Sequence, residues 1–231
     1  MALIGGSRLD WDSDFFGRDI WHLHDVDEYL RYYDADACSG RFIQAKLKAK
    51  EYQHIDALQK IDFQLADSDV FFEKNVSEQA SPPQAIFHND PLEFKKDIVN
   101  GALTAFPLSR FRPPWFKTTD ASQFYARWAE NALNKTYDDV AFVAVIDKHF
   151  AGFVSAKMIS DTTSRVGLIY THPDFMGQGL GKKLLTQVEC WSKQQGARKL
   201  SVATQGANTV AINFYLRNQF TINDISYWLY K

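Results

Sequence analysis

The 231-residue chain is poor in cysteine: Cys38 and Cys190 stand alone, far apart and without Cys or His neighbours at metal-ligand spacing. That excludes a disulfide framework and a zinc motif, implies no metal cofactor, and fits a reducing, cytoplasmic setting. It has no basic block either. With 26 Lys and Arg against 28 Asp and Glu, the net charge is -2, which leaves nucleic acid no electrostatic footprint. No apolar run reaches the roughly 18 to 20 residues that cross a bilayer, so membrane insertion is not expected. The N-terminal MALIGGSRLDWDSDFF has no positive leader and meets Asp10, Asp12 and Asp14 too early for a signal peptide. Apolar and aromatic residues are plentiful instead: 45% are hydrophobic, with 18 Phe, 10 Tyr and 6 Trp, the composition of a folded globular protein.

A boundary is expected in SEQASPPQA (Ser77–Ala85), where a polar cluster meets Pro82 and Pro83, giving domains 1–80 and 81–231. After it, Asn89 or Asp90 offers an N-cap with Pro91 in the first turn, and a second helix is predicted from about Ser122 to Asn134. Strands follow at Val140–Asp147 and Ala151–Ile159, joined as a hairpin, then at Arg165–Thr171. A glycine loop, a helix to about Gln195, strand Lys199–Thr204, helix Asn208–Asn218 and strand ISYWLYK complete the order. This is a mixed sheet flanked by helices, an α/β or α+β fold. The first 80 residues hold a fainter strand, helix, strand unit in FIQAKLKA, YQHIDALQKIDF and QLADSDVFFEK, open to reading as a half-repeat or as chance likeness.

The most informative segment is PDFMGQGLGKKLL (Pro173–Leu185), with Gly177, Gly179 and Gly181 between a strand and a helix. Glycine there permits positive φ and brings backbone close to a ligand, while the helix start gathers unbonded N–H groups and positive dipole. The segment is not a Walker loop: Met176 and Lys183 stand where GxxxxGK followed by Ser or Thr needs Gly and a hydroxyl. A dinucleotide fingerprint begun at Gly177 would end on Lys182, and the preceding strands read as antiparallel. A mobile glycine corner is the plain alternative.

Strand, Pro, Gly-x-Gly-x-Gly and helix resemble the acetyl-CoA-binding motif of the GNAT superfamily of N-acetyltransferases, although Met176 replaces the Gln or Arg preferred there. NTVAINFYLRNQF resembles a second element of that superfamily, with Asn208, Ala211, Tyr215 and Phe220 in register and Gln219 in place of its glycine. The resemblance implies a GNAT fold with a smaller N-terminal α/β domain, acetyl-CoA as cosubstrate, and amides of Gly177, Gln178, Gly179, Leu180, Gly181 and Lys182 around its pyrophosphate. Ile169, Tyr170 and Thr171 would pair with the pantetheine amides, Asn208 would bond the cofactor chain, and Tyr215 would protonate the leaving thiolate. For Tyr215 the competing reading is a buried packing aromatic, and for Asn208 a helix cap.

RLDWDSDFFG, SRFRPPWF, FYARWAENAL, VATQGANT and SYWLYK further resemble the dTDP-fucosamine acetyltransferase family, across nearly the whole chain. This implies a dTDP-aminosugar acceptor, dTDP-4-amino-4,6-dideoxy-D-galactose, acetylated at its 4-amine by direct attack, for enterobacterial common antigen or a related surface polysaccharide. The alternatives are another nucleotide aminosugar, a small amine, or a non-catalytic acetyl-CoA-binding module. Arg110 and Arg112 are candidates to grip the diphosphate and Trp115 or Tyr125 to stack on thymine or sugar, against the reading of a rigid proline corner. Asp67 and Asp69, acting through water, and His172 are the candidate bases, against the readings of solvated carboxylates, a loop histidine, or no strong base because the sugar amine arrives partly neutral; Cys190 reads as packing. The apolar SYWLYK strand fits a homodimer contact or burial within the chain.

Overall fold

The computed structural model describes residues 2–83, 86–88 and 90–231. Gln84 and Ala85 of the expected boundary, and Asn89, lie outside the described residues. The chain packs as two compact units. One comprises Met1–Val70, Thr204–Thr209 and Asp224–Lys231; the other comprises Phe71–Ala203 and Val210–Asn223. Sequence reading puts the join near Ser81, whereas the packing changes over at Val70 and claims the C-terminal strand for the first unit. Strand pairing is the reason, because Ser226–Tyr230 lies antiparallel to Gln44–Lys48.

The first unit begins with β1 (Gly6–Arg8), α1 (Asp10–Phe16), β2 (Ile20–Leu23), α2 (Val26–Arg31) and α3 (Ala35–Cys38). None of these short elements is evident from periodicity. They lead to β3 (Phe42–Lys48), α4 (Tyr52–Gln59) and β4 (Gln64–Asn75), the three segments of the predicted strand, helix, strand unit. β2 runs parallel to β3 and antiparallel to β1. Ile43, Leu58 and Leu229 are fully buried at the centre of this unit's core, with Tyr29 and Phe63 packed around them. Burying one such side chain contributes about 1.5–3 kcal/mol.

The second unit opens with β5 (Phe87–His88) and a 3-10 turn at Pro91–Phe94, capped by Asp90 Oδ1 accepting the Leu92 N–H at 2.9 Å. Two helices follow, α5 (Lys95–Ala105) and α6 (Asp120–Leu133). α6 buries Tyr125, Ala129 and Leu133, a stripe at helical spacing that packs in one cluster with Ile98 and Ala102 of α5. β6 (Val140–Ile146) and β7 (His149–Ser160) form the expected hairpin. Its turn residues Asp147 and Lys148 take φ of 50° and 65°, the twist such two-residue turns require. β8 (Thr163–Thr171), α7 (Leu180–Gln194), β9 (Lys199–Gln205), α8 (Thr209–Arg217) and β10 (Thr221–Tyr230) complete the chain. β5 to β8 pair antiparallel, each with the next in sequence, whereas β9 is parallel to β8, so the sheet is mixed.

Candidate active site

β8 supplies the first half of the site. It pairs with β7 up to Thr171 but with β9 only from Thr163↔Lys199 to Arg165↔Ser201. Among the described residues, its β9-facing edge from Val166 to Thr171 has no ladder partner; the Leu168 and His172 N–H groups turn to β7, and Tyr170 between them pairs with Phe153, so by alternation Ile169 and Thr171 direct their backbone groups to the open edge, where an extended ligand could pair. The β7 register shifts at the same place: Val154 faces Ile169 and Ala156 faces Val166, so Gly167 and Leu168 oppose the single residue Ser155. Such a bulge bends a strand.

The glycine loop supplies the second half. Gly177 and Gly179 take φ of 76° and 75°, and a Cβ at either would meet nothing within 4 Å. Gly179 is the residue before α7, with no side-chain cap and no acidic residue in the helix's first turn. Among the described residues, the backbone N–H groups of Gly177, Gln178, Gly179, Leu180, Gly181 and Lys182 have no protein acceptor; the next, Lys183, bonds the Gly179 carbonyl at 3.2 Å. Six successive unfilled donors at a helix start make an anion seat. Gly181 has a different task, because a Cβ there would lie 3.1 Å from the Phe214 ring of α8. Met176 is 59% exposed.

Tyr215 of α8 is buried, its ring centroid 5.4 Å from those of Phe72 and Phe214 and 5.6 Å from that of Phe220. Burial pushes its phenol well above the ordinary value of 10, so it stays protonated throughout the neutral range. The Cys190 thiol is also pushed up by burial, with Glu189 adding to the shift, which suits packing and not nucleophilic attack.

The other sequence-predicted residues fall in separate places. In the α5–α6 connection, the Arg110 guanidinium lies 4.1 Å from the centroid of the Phe111 ring, and that of Arg112 lies 4.9 Å from the Trp115 ring. Buried Phe111, packed on Phe116 and Phe124, anchors this loop. Tyr125 is not available for stacking on a ligand: it is 7% exposed and its ring packs with Phe106 and Trp128, while its hydroxyl lies 3.5 Å from Ser109 Oγ. His172 Nδ1 accepts the Asp174 N–H at 3.3 Å and caps the turn before the glycine loop.

Asp67, Asp69 and Asn208 belong to the first unit. Asp69 Oδ2 accepts from Lys46 Nζ at 2.6 Å and from Trp228 Nε1 at 2.8 Å, a paired structural anion and not an idle carboxylate. Asp67 Oδ1 accepts the Ser68 N–H at 2.7 Å, and Asn208 Nδ2 donates to Thr204 Oγ1 at 3.2 Å. Sequence reasoning missed the buried polar group beside the bulge, Asp138 and Ser155; the acid of TYDDVAF sits where a solvated turn is the ordinary expectation.

Residues 104–220 match the family model described as the acetyltransferase (GNAT) family. The chain is 30% identical over 225 residues to dTDP-fucosamine acetyltransferase of Escherichia coli O6:H1, spanning 96% of each protein. Among solved structures, a GCN5-related N-acetyltransferase from Sphaerobacter thermophilus shares the fold at a TM-score of 0.67 and 13% identity, over 98% of this chain and 75% of that one. A tandem GNAT protein of the clavulanic acid biosynthesis pathway does so at 0.60 and 13%, over 93% and 75%. From β8 to α8 and from sequence to fold, the chain belongs to the GNAT family of acetyltransferases.

Proposed function

We propose that this acetyltransferase moves acetyl from acetyl-CoA to the 4-amine of dTDP-4-amino-4,6-dideoxy-D-galactose. The acceptor rests on one observation, the 30% identity to dTDP-fucosamine acetyltransferase that runs through 96% of both chains, including the first unit. The cosubstrate follows from the family, and the residues fit it. Amides of Gly177–Lys182 would bind the pyrophosphate, and the unpaired edge at Ile169–Thr171 would hold the pantetheine amides in line. In direct attack the sugar amine forms the new C–N bond, the C–S bond breaks, and the amine's surplus proton leaves to solvent. Tyr215, kept protonated by burial, would donate to the departing sulfur and regain its proton from solvent before the next turnover. Asn208 would support the cofactor chain from the start of α8, and Arg110, Arg112 and Trp115 would take the nucleotide. We read the first unit as a degenerate acetyltransferase half, a reading that the likeness to a tandem protein supports.

The test is thiol release from acetyl-CoA with dTDP-4-amino-4,6-dideoxygalactose, its gluco epimer and a polyamine assayed side by side. Preference for the galacto sugar is expected; faster turnover with either competitor overturns the acceptor. Arg112→Ala should raise KM for the nucleotide sugar far more than for acetyl-CoA, and equal effects would remove Arg112 from the acceptor site.

A further inference from the structure

The point where β8 leaves β9 is held by a buried carboxylate that the reaction does not use. Asp138, just before β6, is 1% exposed. Its Oδ2 accepts from Ser155 Oγ at 2.6 Å and from Trp128 Nε1 at 3.0 Å. Ser155 Oγ in turn accepts the Leu168 N–H at 2.9 Å, so a side chain of β7 takes an amide that the bulge has withdrawn from the backbone ladder. Gly167 is needed there because a Cβ would stand 2.4 Å from Asp138 Oδ2 and 2.5 Å from Ser155 Oγ. On the other side of the bulge, Arg165 Nη2 lies 3.6 Å from Asp138 Oδ1, and Arg165 is the last β8 residue paired with β9. One carboxylate therefore faces β8 immediately before and immediately after it diverges. Because a one-residue slip turns every later side chain and amide to the opposite side, the bulge determines what Ile169–Thr171 present along the open edge.

We propose that Asp138 and Ser155 are positioning residues that fix the β8 bulge and thereby the strand segment to which acetyl-CoA binds. This rests on the acetyl-CoA reading above. Ser155→Ala removes both the acceptor of the Leu168 N–H and the donor to Asp138; Asp138→Asn keeps the shape and removes the charge facing Arg165. Ser164→Ala is the control, since Ser164 is also on β8, upstream of the bulge, and its hydroxyl bonds Ser192 Oγ at 2.7 Å.

Calorimetric titration with CoA reads the effect without any acceptor. Wild type and Ser164→Ala should bind alike, whereas Ser155→Ala should weaken binding about tenfold, the equivalent of one lost hydrogen bond, and Asp138→Asn by several-fold. KM for the amine should stay unchanged in all of them. If the Ser155 and Asp138 variants lose thermal stability but bind CoA as wild type does, or if Ser164→Ala weakens binding equally, the pair is merely structural and the proposal falls. If wild type itself does not bind CoA, the acetyl-CoA reading has failed and this inference with it.

Discussion

Two strand, helix, strand segments, β3-α4-β4 and β9-α8-β10, end their helices by the same bonds. The Phe63 N–H bonds the Leu58 carbonyl at 3.1 Å, and the Phe220 N–H bonds the Tyr215 carbonyl at 3.1 Å. The residue before each Phe is left-handed, Asp62 at φ 70° and Gln219 at φ 68°. Each Phe is then buried, at 2% and 3% exposure. Against that shared backbone the side chains divide: α4 carries Leu58 where α8 carries Tyr215, both buried. Helix, cap and buried Phe are therefore requirements of the fold, common to both segments. Leucine fills the matching place in α4, so the shared backbone does not itself call for a phenol at 215.

The strand-to-helix handovers differ in the same sense. Between β3 and α4, Glu51 Oε2 accepts the Lys48 N–H at 2.7 Å, so the helix start carries a carboxylate of its own. The first turn of α7 carries no such acid: Asp174 lies earlier, exposed in the Pro173–Phe175 turn, and the helix is entered through two left-handed glycines and a row of unfilled amides. A helix start that provides its own anion has less to offer a foreign one.

The largest effect that can break this contrast is at Gly179. Valine at φ 75° is strained, and the amides turn away; losing two charge-assisted hydrogen bonds should weaken acetyl-CoA binding about a thousandfold. Met176→Ala should change it less than about twofold, since that exposed side chain contributes no backbone donor. Titration with CoA checks both, and retention of binding by Gly179→Val would mean that the loop is only a corner.

Next in size is Tyr215→Phe, which should lower kcat about a hundredfold while leaving the affinity for acetyl-CoA unchanged. The pH profile sharpens it. With the folded phenol raised above its unfolded value near 10, the acid form persists past that pH, so Tyr215 produces no fall in kcat between pH 8 and 10. The unfolded chain releases that proton first, so the stability this group contributes is complete below about pH 10 and declines as pH rises beyond it. A basic limb near pH 9 that disappears in Tyr215→Phe would assign the residue a different role.

Smaller still, Glu51→Ala should cost about 1 kcal/mol, or a few degrees in Tm, with no change in kcat or in CoA binding. A loss of CoA affinity would show that the two handovers are not independent.

Much of this was legible in the chain because the signals are local. Asp90 before Pro91, the β-branched hairpin strands and the glycines before α7 each fix their own backbone. Gln219 was visible only as a departure from a family glycine; the structure adds that the position is left-handed. What sequence could not give depends on distant pairing. The strand that completes the first unit comes from the C-terminus, 226–230 against 44–48, so a linear boundary near Ser81 could not describe it. Tyr125 has the composition of a stacking platform but the helical spacing of a core residue, and the core prevailed. Asp138 is acidic in a polar turn, and only the bulge shows why it is buried.

The smallest effect tests the matched caps themselves. A non-glycine residue in the left-handed region costs about 1–2 kcal/mol, and replacing it with glycine returns part of that, less the entropy a glycine loses on folding. Gln219→Gly and Asp62→Gly should therefore each stabilise the chain by about 0.5 kcal/mol and raise Tm by about 1–2 °C. Neither change touches Tyr215 or the α7 amides, so kcat and KM should stay as they are. Because the hydrogen bonds at the two caps are alike, the two gains should be alike and additive in the double variant. If Gln219→Gly alone altered turnover, the α8 cap would be holding Tyr215 in place for catalysis, a task its counterpart beneath Leu58 does not have.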